Sequence, residues 1–339
     1  MNDINTWRWP FTNAETTEAV NLLPNVYGKI GGLGLFPVDA ISSTVARVDI
    51  KDGTVSVMGA SDRGAPPNQT LSRDEEGIKL VQVPHFPGRD RLTPDDIQDK
   101  FLFGTNSLRT VQSAANDFLA KLRMQHDITL EYLRMTALKG QLRDGFGKLL
   151  LDSYSLFGVT KKIVYFDLAN DAVNPRTKTY EILRYMEDNL RGETMTGARV
   201  EVAPDFMDTL IDHPMVREAF YYASAGRNVD DVRKNFSYGG VTFSEYNASV
   251  SLRDGTSARL IEPGFGHAFP VGMTQGTDKT YAAPAHRMGA VNRPGSLIDV
   301  SVLDLDHGSG IEFDHQMNGL PIFRRPALLV ECRKGADPG

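Results

Sequence analysis

The chain has 339 residues, enough for a sizeable core and for two domains. It is 41% hydrophobic and 24% charged, as soluble globular proteins are, and its net charge of −6 argues against a main surface that grips nucleic acid. The single cysteine, Cys332, excludes an internal disulfide framework and a Cys-based zinc site, and no run approaches the roughly eighteen apolar residues a membrane helix needs.

The N-terminal stretch has no basic region followed by an apolar run, so no secretory signal is expected. The first forty-odd residues lack steady periodicity. The Gly- and Pro-punctuated segment Leu22–Pro37 reads as an extended arm lying on something else; its glycines are followed by no Lys-Ser/Thr that would make a phosphate loop. Ser43–Met58 is rich in β-branched residues and turns at Asp52-Gly53. A polar stretch, Gly59–Gly77, separates it from a second strand-like run, Ile78–Pro87. Together they suggest a long β excursion, which buries too little to stand alone and needs a neighbour.

The strongest helix spans Leu108–Lys139, where Val111, Ala115, Phe118, Leu122, His126, Leu130, Leu133 and Ala137 recur every three or four residues. Its charged residues predict a solvated opposite face. Gln141–Gly158 reads as a hairpin turning at Asp144–Gly147. Lys178–Leu190 reads as a helix, Arg199–Val202 as a strand, and Ala203–Ser224 as two short helices divided at His213-Pro214. Two hairpins follow, turning at Gly239-Gly240 and Asp254-Gly255, and then mainly short strands to Lys334. This is an α+β pattern without a repeating βαβ unit.

The segment Asp304–His315 (DLDHGSGIEFDH) concentrates acids. As a calcium loop it fails, because the fifth, sixth and twelfth positions are Gly308, Ser309 and His315. A hairpin with Gly308-Ser309-Gly310 as its loop would pair Leu305 with Phe313, Asp306 with Glu312 and Asp304 with Asp314. Four carboxylates on one face then require a cation: a metal, or Arg or Lys from elsewhere in the chain or from another subunit. No nucleophile elbow, H-E-x-x-H or Walker loop is present, the seven His are scattered, and Cys332 sits in an apolar strand-like run. An α+β body with an arm and an excursion that both need a neighbour points to a self-assembling structural protein.

Several stretches, in serial order, resemble one family: DRGAPPNQ (Asp62–Gln69), VPHFPGRDRLTPDDIQ (Val83–Gln98), His126–Gly158, HPMVREAF (His213–Phe220), YGGVTFSEY (Tyr238–Tyr246), TYAAPAH (Thr280–His286) and GLPIFRRPALLVECR (Gly319–Arg333). They are similar to the major capsid proteins of tailed phages, in the phage lambda E-protein family. The resemblance implies the Hong Kong 97 capsid fold: an N-terminal arm (1–43), an E-loop (44–92), a peripheral domain with a long spine helix (93–148 and 298–322) and an axial domain (149–297 and 323–339). It implies hexamers and pentamers that build an icosahedral head around double-stranded DNA, assembled in the host cytoplasm with portal, scaffolding and cement or decoration proteins. No cofactor and no enzymatic activity are expected. Asp304, Asp306, Glu312 and Asp314 are then candidates for contact with a neighbouring subunit, with Arg89, Arg91, Arg324 and Arg325 as candidate cations. An encapsulin-like compartment shell is the alternative within the fold. A metal-dependent hydrolase using the acid hairpin is the alternative outside it.

Overall fold

A computed structural model of the chain describes residues 12–22, 28–52, 75–100, 110–223, 233–273 and 278–339. The expected turn residue Gly53, most of Gly59–Gly77 and the expected helix start at Leu108 lie outside these residues. Where an extended arm is expected, α1 (Asn13–Leu22) and the one-turn α2 (Lys29–Gly32) form. A capping box starts α1: Thr12 N–H donates to the Glu15 carboxylate (2.8 Å), and Glu15 N–H donates to the Thr12 hydroxyl (3.3 Å).

After β1 (Val38–Ala40), β2 (Val45–Asp52) pairs with β3 (Glu75–Gln82), the two strands of the excursion. The next strand, β4 (Phe86–Leu92), leaves that pair for another sheet. α3 (Val111–Leu138) has 28 residues and a length of about 42 Å. The expected hairpin forms from β5 (Gln141–Arg143) and β6 (Leu149–Asp152). Its second strand stops early because the Asp152 carboxylate accepts from Ser155 N–H (3.1 Å) and caps α4 (Ser153–Phe157).

Next come β7 (Lys162–Tyr165), α5 (Pro175–Asp188), β8 (Gly197–Val202), α6 (Pro204–Asp212) and α7 (Pro214–Ala223), the last two divided at the expected proline. The two expected hairpins are β9 (Phe236–Tyr238) with β10 (Val241–Glu245), and β11 (Ser249–Ser251) with β12 (Ser257–Arg259). The chain then runs through β13 (Phe265–Val271), β14 (Asp278–Ala282), β15 (Ile298–Asp304), β16 (Ile311–Met317), β17 (Gly319–Phe323) and β18 (Val330–Arg333).

The chain forms two compact units. The first comprises Met1–Ala46, Val81–Glu131 and Lys279–Pro321; the second comprises Arg47–Leu80, Tyr132–Asp278 and Ile322–Gly339. In the first, β16 lies between β15 and β4 in an antiparallel sheet. One face of that sheet presents Ile311, Phe313 and Met317, all buried, and Phe313 stacks on Phe118 of α3 with ring centroids 4.8 Å apart. Helix α1 lies along β15. Asn13 accepts from Val302 N–H, the Thr17 hydroxyl accepts from Val300 N–H and donates to Val300 C=O, and the Asn21 amide donates to Ile298 C=O, all at 2.9 Å. The buried Glu131 carboxylate accepts from the N–H groups of Ile30 (2.7 Å) and Gly31 (3.0 Å). The anion at that glycine-rich turn is therefore this chain's own.

In the second unit a six-stranded mixed sheet runs in the order β7–β18–β13–β8–β10–β9. β18, nearly the last described segment of the chain, sits in its interior, parallel to β7 and antiparallel to β13. Phe166 meets Phe206 and Phe243 edge-on at 5.3 and 6.1 Å, and all three are fully buried. Cys332 of β18 is fully buried, and burial pushes its thiol pKa up. The solvated face expected of the long helix does not extend along its whole length. Asp127, Glu131, Arg134 and Thr136 are all buried, so from Leu130 onward the helix is enclosed on every side.

Candidate functional site

The hairpin Asp304–His315 forms, but not in the expected register. Asp304 stands opposite Ile311, Leu303 opposite Glu312, Val302 opposite Phe313 and Ser301 opposite Asp314. The connection is six residues long, Leu305–Gly310, closed by Leu305 N–H to Gly310 C=O (3.0 Å), with a 3-10 turn at Asp306–Gly308 inside it. The three-residue loop would have put Leu305 opposite Phe313; the longer one puts Val302 there. Gly310 is confined to glycine by its φ of 151° and by Leu92 C=O, which a Cβ would meet at 2.6 Å.

This register splits the four acids. Glu312 and Asp314 share one face of β16. Asp304 lies at the exposed end of β15, and Asp306 lies in the turn. The shared face is completed by two residues the sequence did not single out, Asp299 of β15 and Arg287. The cations are on the next strand: Arg91 stands opposite Glu312, and Arg89 opposite Asp314. Arg91 Nε donates to Glu312 (2.8 Å), and Arg89 lies 3.4 Å from Glu312 and 3.8 Å from Asp314. Arg287 donates to the Asp299 carboxylate (2.6 Å) and to Asp314 C=O (2.7 Å). Three guanidiniums thus face three carboxylates, and like-charge repulsion across the strands is relieved within one chain. Among the described residues, no group of three or more His, Cys, Asp or Glu could hold a metal ion.

The other two arginine candidates belong to the second unit. Arg325 donates to Leu190 C=O (2.6 Å) and lies 3.4 Å from the Glu193 carboxylate, both in the second unit. Arg324, its neighbour, is partly buried.

On the opposite face of the same sheet, Asp90, His315 and His126 form a hydrogen-bonded chain. His315 Nε2 is 2.9 Å from the Asp90 carboxylate, and His315 Nδ1 is 2.9 Å from His126 Nε2 on α3. The carboxylate only accepts, so His315 Nε2 carries a proton, and the two rings share one more between them. His126 is buried, and burial, then the neighbouring His315 and Arg123, lower its pKa to about 3. The His315 ring lies over Gly88 of β4, where a Cβ would meet its Cε1 at 2.1 Å. Any side chain at position 88 would displace the ring. His126 and His315 are 189 residues apart in sequence, and the helical spacing marked His126 only as one of a row of inward-facing residues.

The sequence model of a family described as phage major capsid protein E matches residues 12–334. The major capsid protein of Salmonella phage Felix O1 (isolate Felix O1-VT1) is 32% identical, over 97% of this chain and 98% of that protein. A prophage protein of Escherichia coli CFT073 has a similar structure, with a TM-score of 0.61 at 13% identity, over 96% of this chain and 99% of that one. The mature capsid of bacteriophage PhiM1 is similar at a TM-score of 0.54 and 13% identity, over 90% and 87% of the two chains. At such identities the structural likeness speaks for the fold alone, and that fold is of the Hong Kong 97 type.

Proposed function

The chain belongs to the phage major capsid protein E family and is a shell-forming major capsid protein of the tailed-phage kind; from that premise we propose that it assembles into hexamers and pentamers closing an icosahedral head around double-stranded DNA. The observation that carries this reading is the family match along nearly the whole chain. Exposed apolar side chains support it. Ile78 and Leu80 on β3 are 50% and 70% exposed, Phe146 at the β5–β6 turn 66%, and Met288 93%. Side chains of this size left in water fit surfaces that are covered on assembly.

The arm is residues 1–43, the excursion is residues 44–92 with β4 at its end pairing onto β16, and the peripheral domain, 93–148 and 298–322, holds β15, β16 and the long helix. The axial domain is built on the six-stranded sheet with β18 returning into it. Asp304 and Asp306, exposed at the hairpin end, are placed to meet a neighbouring subunit. Arg89 and Arg91, 63% and 61% exposed at their side chains, reach past their own carboxylates, and Arg324 and Arg325 form a separate contact. Portal, scaffolding and cement proteins are its partners, assembly takes place in the host cytoplasm, DNA is enclosed without sequence-specific contacts, and the chain has no catalytic role. No described helix is long and apolar enough to cross a membrane.

Negative-stain electron microscopy of the purified protein, with and without a chelator, tests this. Closed shells, or five- and sixfold rings, that persist in chelator are expected. A monodisperse monomer at high concentration, even with a scaffolding protein supplied, would refute the reading. Particles that dissolve in chelator would show that a cation bridges the subunits and that the arginines alone do not neutralise the acids.

A further inference from the structure

The second unit holds a pocket of about 420 Å³ where α3 ends, and charged residues from five segments line it. Lys139 follows the last residue of α3, Arg143 ends β5, Lys161 precedes β7, Arg259 ends β12 and Glu331 lies on β18. Two carboxylates face four cations. Glu262 accepts from Lys139 Nζ at both oxygens (2.8 Å each), and Glu331 pairs with Lys161 and, at 2.7 Å, with Arg333. The charge on Arg143 and Arg259 is left over: Arg143 donates to neutral oxygens, Gly147 C=O (3.0 Å) and Gln141 Oε1 (3.3 Å), and Arg259 is exposed.

His267 of β13 also lines the pocket. It is 4% exposed, and its Nε2 is buried with no hydrogen-bond partner among the described residues. A polar ring atom left unpaired in a protein interior costs free energy unless a ligand or neighbour satisfies it. Burial, with the ammonium groups of Lys139 and Lys161 close by, holds the ring neutral. A neutral imidazole beside an oxyanion places its one proton on the nitrogen that faces it, so Nε2 becomes a donor there without a charge of its own.

We propose that this pocket binds an oxyanion of the phosphate class, with Arg259, Arg143 and Lys161 supplying charge and His267 Nε2–H supplying the buried hydrogen bond. An oxyanion matches the surplus of positive charge, and its acceptor oxygens match the unpaired donor. The volume exceeds that of a single phosphate, so the group can be free or carried on a sugar. This site is independent of the proposed shell assembly.

The test is calorimetric titration of the full-length protein in chloride buffer at constant ionic strength. The probes are inorganic phosphate and a dinucleotide carrying one phosphodiester. Saturable binding is expected, about tenfold weaker in Arg259→Ala, whose melting temperature in chloride stays unchanged because the side chain is exposed. His267→Gln, which retains a donor of another length, should also weaken it, and histidine-selective nitrogen NMR should show the His267 ring signals moving on saturation. Tighter binding of phosphate identifies a free oxyanion as the ligand class, and tighter binding of the dinucleotide identifies nucleic-acid phosphate. Binding no stronger than that of chloride, equal binding by wild type and Arg259→Ala, or unmoved His267 signals would overturn the proposal. If His267→Gln does not fold, Arg259→Ala and the ring signals still decide.

Discussion

Acidification should loosen the packing of α3 on β16 through His126. The folded ring has a pKa of about 3 against an ordinary 6.5. Between those values the unfolded chain binds a proton that the folded chain refuses, so stability is lost as pH falls from 6.5 towards 3. At pH 7.5 the effect is almost nil. At pH 5.0 the unfolded state is favoured by about 1.5 pK units, or about 2 kcal/mol. For a chain of this length that lowers the melting temperature by about 3 °C. His267 in the second unit is also held neutral by burial and acts in the same direction, so the decisive measurement is a difference. Thermal melts of wild type and His126→Gln at pH 7.5 and 5.0 isolate the His126 contribution. Glutamine keeps an N–H near the position of the ring Nε2 and does not titrate. The wild type should lose about 2 kcal/mol more than the variant across this interval. Equal losses would mean that His126 takes up its proton without disturbing His315, and the reasoning would fail.

Four further expectations follow from the same structure. Gly88→Ala should cost about 2–4 kcal/mol in denaturant unfolding, because the new Cβ enters the space of a His315 ring fixed by hydrogen bonds on both sides; a loss under half a kcal/mol would show that the ring simply moves. Removing Arg91, whose side chain is 61% exposed, should cost no more than about 1 kcal/mol. Arg287→Ala, with the side chain 25% exposed and two short charge-assisted bonds lost, should cost about 2–3 kcal/mol in the same assay. The Cys332 thiol, buried and with its pKa pushed up, should resist a water-soluble thiol reagent until the protein unfolds, and the labelling rate should track global unfolding.

The sequence is legible where local chemistry decides. The proline at 214 divides α6 from α7, and the paired glycines at 239 and 240 turn a hairpin, because backbone geometry there depends on the residue itself. The capping box at Thr12 and Glu15 is equally local, but α1 has little apolar periodicity to mark it and carries its useful side chains as amides and a hydroxyl. The hairpin register at Asp304–Ile311 is hidden for a different reason. Pairing apolar with apolar across two strands leaves out the third, and β4 shapes the loop by passing Leu92 C=O beneath Gly310. Arg89 and Arg91 are candidate cations for the acids by sequence, but their place beside them on β4 follows from a strand pairing across more than 200 residues. No spacing rule connects His126, His315 and Asp90, because the chain that joins them exists only after the sheet and helix have met.

The ladder of Asn13, Thr17 and Asn21 along β15 closes that side of the sheet without adding a strand. Three side chains one helical turn apart satisfy backbone groups two residues apart, so a helix stands in for a missing neighbour. An uncovered strand is adhesive to any other uncovered strand, whatever its sequence. While α1 is seated, copies of this chain cannot join through β15, and contacts elsewhere on the surface, which carry specific shape and charge, decide how they meet. A chain cut or synthesised without its first 22 residues would lose that restraint on indiscriminate pairing. For this protein the segment with the weakest apolar pattern is the one that keeps ordered growth from becoming disordered growth.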